Sequence, residues 1–325
     1  MSFVSKIVTA AGYGLLASLS ARFLQFLYIH LRPSSISKYG KKHRLYKPSS
    51  RTWALVTGAS DGLGVAWAHE LSKSGFNVII HGRNPAKLNK LKAEIEEKHH
   101  VQVRTLVIDS GREPVAFDEA SYAAFNKAVQ DATADVPLTV LINNIGIIGN
   151  WYAMADTPAD VVDDSININV RFSMQLTRAL LPTLTRNAPA LIINVSSQSD
   201  ASPVAYATLY TGAKGWGQAF HRSLRYEMRD TRQDVEVLTV VYGFIATTST
   251  GRTDKDAQFG VATPSVAARA ALNKVGCGYS IVTPLWQHHV QQWLVGLFPI
   301  GVSESIVANV MLEQKEKMVA LAKSK

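Results

Sequence analysis

The chain has 325 residues, 47% of them hydrophobic and 18% charged, which suits one large or two modest domains with a buried core and excludes a disordered or collagenous chain. A single cysteine, Cys277, excludes a disulfide framework and any Cys-rich zinc or iron–sulfur centre, and points to a reducing compartment. The formal net charge of +9 is local: residues 1–51 hold nine Lys and Arg and no acid, so residues 52–325 sum to zero, which argues against nucleic acid as a partner.

The first 31 residues read as a membrane segment. Ile7–Leu31 is mostly apolar, with Arg22 its only full charge. As a helix rising about 1.5 Å per residue it is long enough to cross a hydrocarbon core of about 30 Å. Arg22 argues against a simple span, because a central arginine costs about 2.5–3.5 kcal/mol on insertion scales. Three readings are open: a spanning or hairpin-like anchor, which is the expectation here; an interfacial helix with Arg22 at the surface; and a cleaved signal peptide ending near Ser20 or Ala21. Residues 32–51 form a basic linker with seven Lys and Arg, which by the positive-inside rule keeps the main domain in the cytosol.

From Thr52 short apolar runs alternate with amphipathic stretches. The runs are Trp53–Val56, Val78–Ile80, Val103–Ile108, Val140–Ile142, Leu191–Val195, Val235–Val241 and Ser280–Thr283, most of them rich in Val and Ile, as strands buried on both faces are. Between them lie helical patterns such as Pro85–His99, where Leu88, Leu91 and Ile95 recur at helical spacing. The alternation predicts an α/β fold, a doubly wound parallel sheet of seven strands, across a catalytic domain of residues 52–284. Residues 285–325 are expected to form a helical, substrate- or membrane-proximal end, with a terminal helix from Ser303 to about Lys323. Trp286, Trp293, Leu294, Leu297 and Phe298 there suit an acyl-chain tunnel, a membrane contact or plain core packing.

The first strand runs into Thr57-Gly58-Ala59-Ser60-Asp61-Gly62-Leu63-Gly64 and then a helix. Glycines at 58, 62 and 64 let the backbone turn tightly against a pyrophosphate, with the helix N-terminus facing the anion. The same residues spell G-x-S-x-G, a hydrolase nucleophile elbow, but a turn on the first strand with all three glycines otherwise explained does not favour that reading. The second strand ends on Gly82 rather than a carboxylate, and Arg83 comes next. A guanidinium there pairs with a 2′-phosphate where an acid would repel it, so NADP(H) is expected over NAD(H).

Tyr210 and Lys214 stand at i and i+4 on one helical face, and Ser197 closes the strand before them at the carboxyl end of the sheet. In that arrangement Lys214 lowers the pKa of the Tyr210 phenol, which exchanges a proton with a substrate oxygen held by Ser197. Tyr206 lacks a lysine four residues on. The pairs His99-His100 and His288-His289 lack ligand-spaced partners and read as solvated faces, so no metal site is expected.

From about Trp53 to Thr247 these motifs resemble the short-chain dehydrogenase/reductase family. The resemblance implies a Rossmann-like fold and a nicotinamide cofactor held by Gly58, Ser60, Asp61, Gly62, Leu63, Gly64, Arg83, Asp109, Asn143, Tyr210, Lys214 and Ile245. It further implies catalysis by Asn169, Ser197, Tyr210 and Lys214, the asparagine holding a proton-relay water. The Asn143-Asn144-Ile145-Gly146 segment implies support of the sheet and lining of the cofactor. One departure is that the family's Pro-Gly after the sixth strand reads Tyr242-Gly243, which leaves the shape of the loop beyond it open.

With its apolar N-terminus, Leu31-Arg32-Pro33 and Ser60-Asp61-Gly62, the chain looks like the membrane-bound branch of very-long-chain 3-oxoacyl-CoA reductases and 17β-hydroxysteroid dehydrogenases. That implies an endoplasmic reticulum membrane enzyme facing the cytosol, reducing a lipophilic ketone, most of all a 3-oxoacyl-CoA. A steroid or secondary-metabolite ketoreductase is the alternative, and a non-catalytic nucleotide-binding scaffold is a further one. A homodimer through the helices carrying Asn169 and Tyr210 is also implied.

Overall fold

The computed structural model describes residues 2–40, 51–112, 118–149, 151–200 and 204–323. Among these, seven strands form one parallel sheet: β1 (Trp53–Val56), β2 (Asn77–Gly82), β3 (Val103–Val107), β4 (Leu138–Asn143), β5 (Ala190–Ser197), β6 (Val235–Tyr242) and β9 (Ile281–Val282). A separate ribbon joins β7 (Phe244–Ile245) to β8 (Val261–Ala262). The sheet order is β3-β2-β1-β4-β5-β6-β9. Leu55 sits between Ile79 and Leu141 in register, so the chain winds outward in opposite directions from β1 and β4. That reversal opens a crevice at the carboxyl ends of the strands. The seven apolar runs read from sequence all coincide with strands of this sheet.

Helices cover both faces. On one lie α2 (Gly62–Lys73), α3 (Pro85–His99) and α8 (Pro264–Leu272), which bury Trp67, Leu71, Leu88 and Ala268 against the alternate side chains of the strands. The other carries α4 (Glu119–Thr133), α6 (Phe172–Arg186) and α7 (Thr208–Asp230), which bury Phe125, Phe172, Leu176 and Leu224. Helix starts obey local chemistry: Asn84 caps α3 by accepting from Lys87 N at 3.0 Å, with Pro85 at the first position, and Asp118 caps α4 through Ser121 N. The helix α5 (Ala159–Ile166) passes into α6 through a π turn, Asn167–Arg171. Such a turn inserts one extra residue and is often found at functional sites.

The N-terminal helix α1 (Phe3–Leu31) carries the apolar span, and nearly all of it is exposed. Its last turns dock on the helix α9 (Trp286–Val295): Ile29 is buried, and His30 Nε2 lies 3.1 Å from His289 Nδ1. The first part of the basic linker is bound to the sheet domain. Ser35 N donates to Val275 O, Tyr39 is buried with its hydroxyl on Glu236, and Lys38 pairs with Asp234 at 2.7 Å. Lys41, Lys42, Arg44 and Lys47 lie outside the described residues.

The last helix, α10 (Ile300–Lys323), matches the terminal helix read from sequence. The aromatic stretch before it is not core. Trp286, Trp293, Leu294, Leu297 and Phe298 are all substantially exposed, which removes the core-packing reading. The histidine pairs are solvated only in part: His100 is exposed as expected, while His99 and His289 are half-buried. His288 is 1% exposed, because a neutral imidazole satisfies both nitrogens here: Nδ1 accepts from Gly243 N at 3.0 Å and Nε2 donates to Gly260 O at 3.2 Å. His99 contacts His69 at 3.0 Å.

Candidate active site

The crevice at the switch point is a cleft of about 270 Å³. Its floor is the turn from β1 into α2. Gly58 and Gly62 adopt φ of +63° and +52°, a region open to glycine. At Gly64 the constraint is space, since a Cβ would stand 2.0 Å from Gly58 O. Asp61 caps α2 by accepting from Gly62 N at 2.7 Å, and Leu63 and Gly64 present the first turn of that helix to the cleft. A tight glycine turn with a helix N-terminus behind it fits a nucleotide pyrophosphate.

Buried hydrogen bonds fix the turn from behind. Gly58 N donates to His81 Nδ1 at 3.3 Å, while His81 Nε2 donates to Ile108 O. Burial lowers the pKa of His81 to about 4, so the ring stays neutral and keeps its accepting nitrogen. Asn144 Nδ2 donates to Thr57 O at 2.9 Å and lines the cleft. The Asn143 side chain, expected on the cofactor, points instead into the core, donating to Thr177 Oγ1 at 2.9 Å and lying 3.1 Å from His221 Nε2. Adjacent residues leaving a strand face opposite ways, so only one of the two asparagines can face the cleft.

At the adenine end, Ser60 Oγ sits 2.2 Å from where a Gly82 Cβ would be. A carboxylate at position 82 would therefore displace Ser60. Arg83 comes next, exposed beyond the end of β2. Asp109, past the end of β3, turns back to accept from Gly111 N at 3.0 Å. Ser60, Arg83 and Asp109 stand outside the lining of the central cleft.

At the other end stand Ser197, Tyr210 and Lys214, all lining the cleft. Ser197 at the end of β5 hydrogen-bonds the Tyr210 phenol and accepts from Ser199 N at 3.2 Å. One helical turn beyond Tyr210, the Lys214 ammonium lies 5.5 Å from the tyrosine ring centre and donates to Val195 O at 2.8 Å. Asn169 stands in the π turn, its Oδ1 accepting from Ile147 N at 2.8 Å and its Nδ2 donating to Ile147 O at 3.0 Å. Gly146 separates the last two: a Cβ there would lie 3.1 Å from Asn169 Oδ1 and 3.3 Å from Lys214 Nζ.

The electrostatics differ from the simple expectation that Lys214 pulls the phenol down. Burial raises the Tyr210 pKa, the Ser197 hydrogen bond opposes it, and Asp200 adds to the rise. The depressed group is Lys214, lowered to about 8 by burial despite the opposing Asp200 carboxylate.

The roof is the segment after β6, which sequence reasoning largely missed. Ile245 lines the cleft together with Gly243 and Thr247–Thr250. The Tyr242-Gly243 departure has its own anchors: Tyr242 is buried with its hydroxyl on Ala267 O at 3.0 Å, and Gly243 N is held by His288. Thr248 Oγ1 reaches Asp61 at 3.5 Å, which brings the roof across the glycine turn. The available signal was the Tyr-Gly pair itself. Its partner His288 lies 45 residues away and carries no local signature.

The switch-point sheet, the glycine turn and the Ser–Tyr–Lys group define a nucleotide-binding oxidoreductase of the doubly wound class. The profile of the short chain dehydrogenases matches residues 52–258, and the chain belongs to that family. Within it the chain is similar to the very-long-chain 3-oxoacyl-CoA reductase of Coprinopsis cinerea, 32% identical over 276 residues, covering 82% of this chain and 76% of the relative. The reductase of the same name from Pyricularia oryzae is 28% identical over 326 residues, covering 97% and 92%. Among solved structures, a 7beta-hydroxysteroid dehydrogenase matches with a TM-score of 0.65 at 20% identity, covering 78% of this chain and 96% of that one. A short-chain dehydrogenase from Sphingobium yanoikuyae in complex with NADPH matches at 0.61 and 20%, covering 79% and 95%.

Proposed function

We propose that the protein is a membrane-anchored reductase that uses NADPH to convert a lipophilic ketone, above all a 3-oxoacyl-CoA, to the secondary alcohol. The observation that carries this is the convergence of Ser197, Tyr210, Lys214 and Asn169 around one end of the cleft whose floor is the Gly58–Gly64 turn. The relatives' names supply the substrate class. The exposed apolar α1 and the basic stretch after it support a membrane anchor with the sheet domain in the cytosol, and the endoplasmic reticulum as its membrane rests on the resemblance to the very-long-chain reductase branch alone.

Gly58, Gly62 and Gly64 would seat the dinucleotide phosphates, with Arg83 at the 2′-phosphate. Bound there, a nicotinamide supplies the hydride. Ser197 Oγ donates to the ketone oxygen and fixes it beside the Tyr210 hydroxyl. A phenol whose pKa is raised by burial is protonated at neutral pH, so Tyr210 gives its proton to the forming alkoxide. Lys214 as ammonium stabilises the phenolate left behind, and the Asn169 amide beside it steadies the path by which the proton returns.

The test is NADPH and NADH oxidation by detergent-solubilised protein with 3-oxoacyl-CoAs of increasing chain length. Turnover that rises with chain length and prefers NADPH supports the reading. Turnover confined to steroids or other ketones overturns the acyl-CoA assignment.

A further inference from the structure

A second cleft, about 430 Å³, adjoins the first and shares Thr250 with it. It lies between the roof segment and α10 and is lined by Arg252, Lys255, Lys317, Asp256 and Gln314. Arg252 is built into the fold rather than lying on it. Its guanidinium stacks 4.3 Å from the Phe244 ring centre, and its Nη2 donates to Gln314 Oε1 at 2.8 Å. Gln314 is itself buried and donates from Nε2 to Thr250 O at 3.0 Å, so α10 and the roof are tied together at this point. The other end of the guanidinium, Nη1, is buried and finds no acceptor among the described residues. A buried charged donor left without an acceptor is unfavourable, and an anionic ligand would offset that cost.

The charge in this cleft is uneven. Residues 52–325 sum to zero, yet three cations converge here against one carboxylate. That carboxylate is held through one oxygen, Asp256 Oδ2 accepting from Thr253 N at 2.7 Å and from Thr253 Oγ1 at 3.0 Å, and although it attracts the Arg252 guanidinium it offsets only one of the three cations. Along the crevice, this cleft comes after β6 and β7, whereas Arg83 comes after β2 at the opposite end of the sheet order. The two cationic positions thus lie on opposite sides of β1 and β4 in the sheet order. A single dinucleotide laid from β2 to the Tyr210 end uses only the first.

We infer that Arg252, Lys255 and Lys317 form a phosphate subsite for the substrate, holding the pyrophosphate and ribose phosphate of an acyl-CoA while its thioester end enters past Thr250 towards Tyr210. This rests on the acyl-CoA reading above. Charge-assisted contacts to phosphate are the strong ones, and Arg is the side chain suited to bind two oxygens at once.

The experiment compares one 3-oxoacyl chain carried on coenzyme A with the same chain on N-acetylcysteamine, which has no phosphate. Arg252→Gln, and separately the double variant Lys255→Gln/Lys317→Gln on exposed positions, should raise KM for the CoA thioester about tenfold more than for the short thioester. A change of KM equal for both carriers overturns the subsite. If wild type reduces neither thioester, the functional reading fails, and the subsite is judged by calorimetry of free coenzyme A with NADP⁺ saturating. Binding to wild type that is lost in the variants supports it; equal binding, or none to wild type, overturns it. Binding of anionic phospholipid vesicles that weakens in the variants while coenzyme A binding does not would assign the cations to lipid headgroups and also overturn it.

Discussion

Gly64→Ala isolates the glycine turn from every other feature of the site. A Cβ at this position would stand 2.0 Å from Gly58 O, 2.7 Å from Gly58 C and 2.8 Å from Ala59 Cα, where ordinary contact begins at 3.4 Å. All three atoms are backbone, so no side chain can rotate away, and the turn must open by more than an ångström. Overpacking of this kind costs about 1–3 kcal/mol. Gly58 O is also 3.4 Å from Asn144 Nδ2, so the displacement passes into the opposite wall of the cleft. Pyrophosphate contacts depend on those same backbone positions. Cofactor affinity should fall about 100-fold, which corresponds to about 2.8 kcal/mol. Gly215→Ala in α7 is the control, because nothing lies within 4 Å of its Cβ position. That change should leave affinity intact and raise stability by up to about 1 kcal/mol from helix propensity. Fluorescence titration with NADPH and denaturant unfolding read both quantities. A Gly64→Ala protein that folds and binds cofactor within about threefold of wild type would refute the role given to the turn.

Three further outcomes are expected. Lys214 holds its proton more loosely folded, at about 8, than unfolded, near 10.5. Activity that needs the ammonium should therefore fall above about pH 8. Wild-type stability should gain over that of Lys214→Met as pH rises from about 8 to 10.5, as urea midpoints at several pH values would show. The buried His81 and His221, both lowered to about 4, are neutral in the fold, so the unfolded chain binds more protons below 6.5. Stability should drop as pH falls from 6.5 to about 4, by up to about 1.4 kcal/mol per unit for each ring, and His221→Gln should flatten the curve. Asn143→Ala removes one buried contact each from Thr177 and His221, which keep Ser173 O and Gly217 O, and should cost about 1–3 kcal/mol in unfolding, while weakening cofactor binding less than Asn144→Ala does.

The strands were legible because a parallel strand buried on both faces is apolar along nearly its whole length, and Trp53–Val56 or Val140–Ile142 leave no competing pattern. Gly64 was legible for a related reason, since the close approach to Gly58 O leaves no room for another residue. The asparagine pair was not. Position in a motif does not say which of two neighbours faces the cleft, and here the Asn143 amide turns inward onto Thr177. The π turn at Asn169 was equally hidden, because an extra residue in a helix has no local sequence signature and shows itself only where the Asn169 amide reaches Ile147 O and Ser165 Oγ. His288 looked solvated because a histidine pair carries no sign of burial; only contacts with Gly243 and Gly260 make its burial tolerable. Tyr39 and Lys38 belong to an expected linker, yet acceptors almost 200 residues away tie them to the sheet domain.

Tyr210 stands at the centre of the proposed chemistry, as the proton donor of a nicotinamide-dependent reduction. The most direct measurement is NADPH oxidation with a long-chain 3-oxoacyl-CoA by wild type and Tyr210→Phe, with NADPH affinity measured on both. Loss of the phenol removes general-acid catalysis, worth about 10²–10⁴-fold, while the turn that binds the cofactor is untouched. The expected result is a turnover reduced by that factor at unchanged NADPH affinity. Full turnover in Tyr210→Phe, or a wild type that binds NADPH and reduces no ketone, would contradict it.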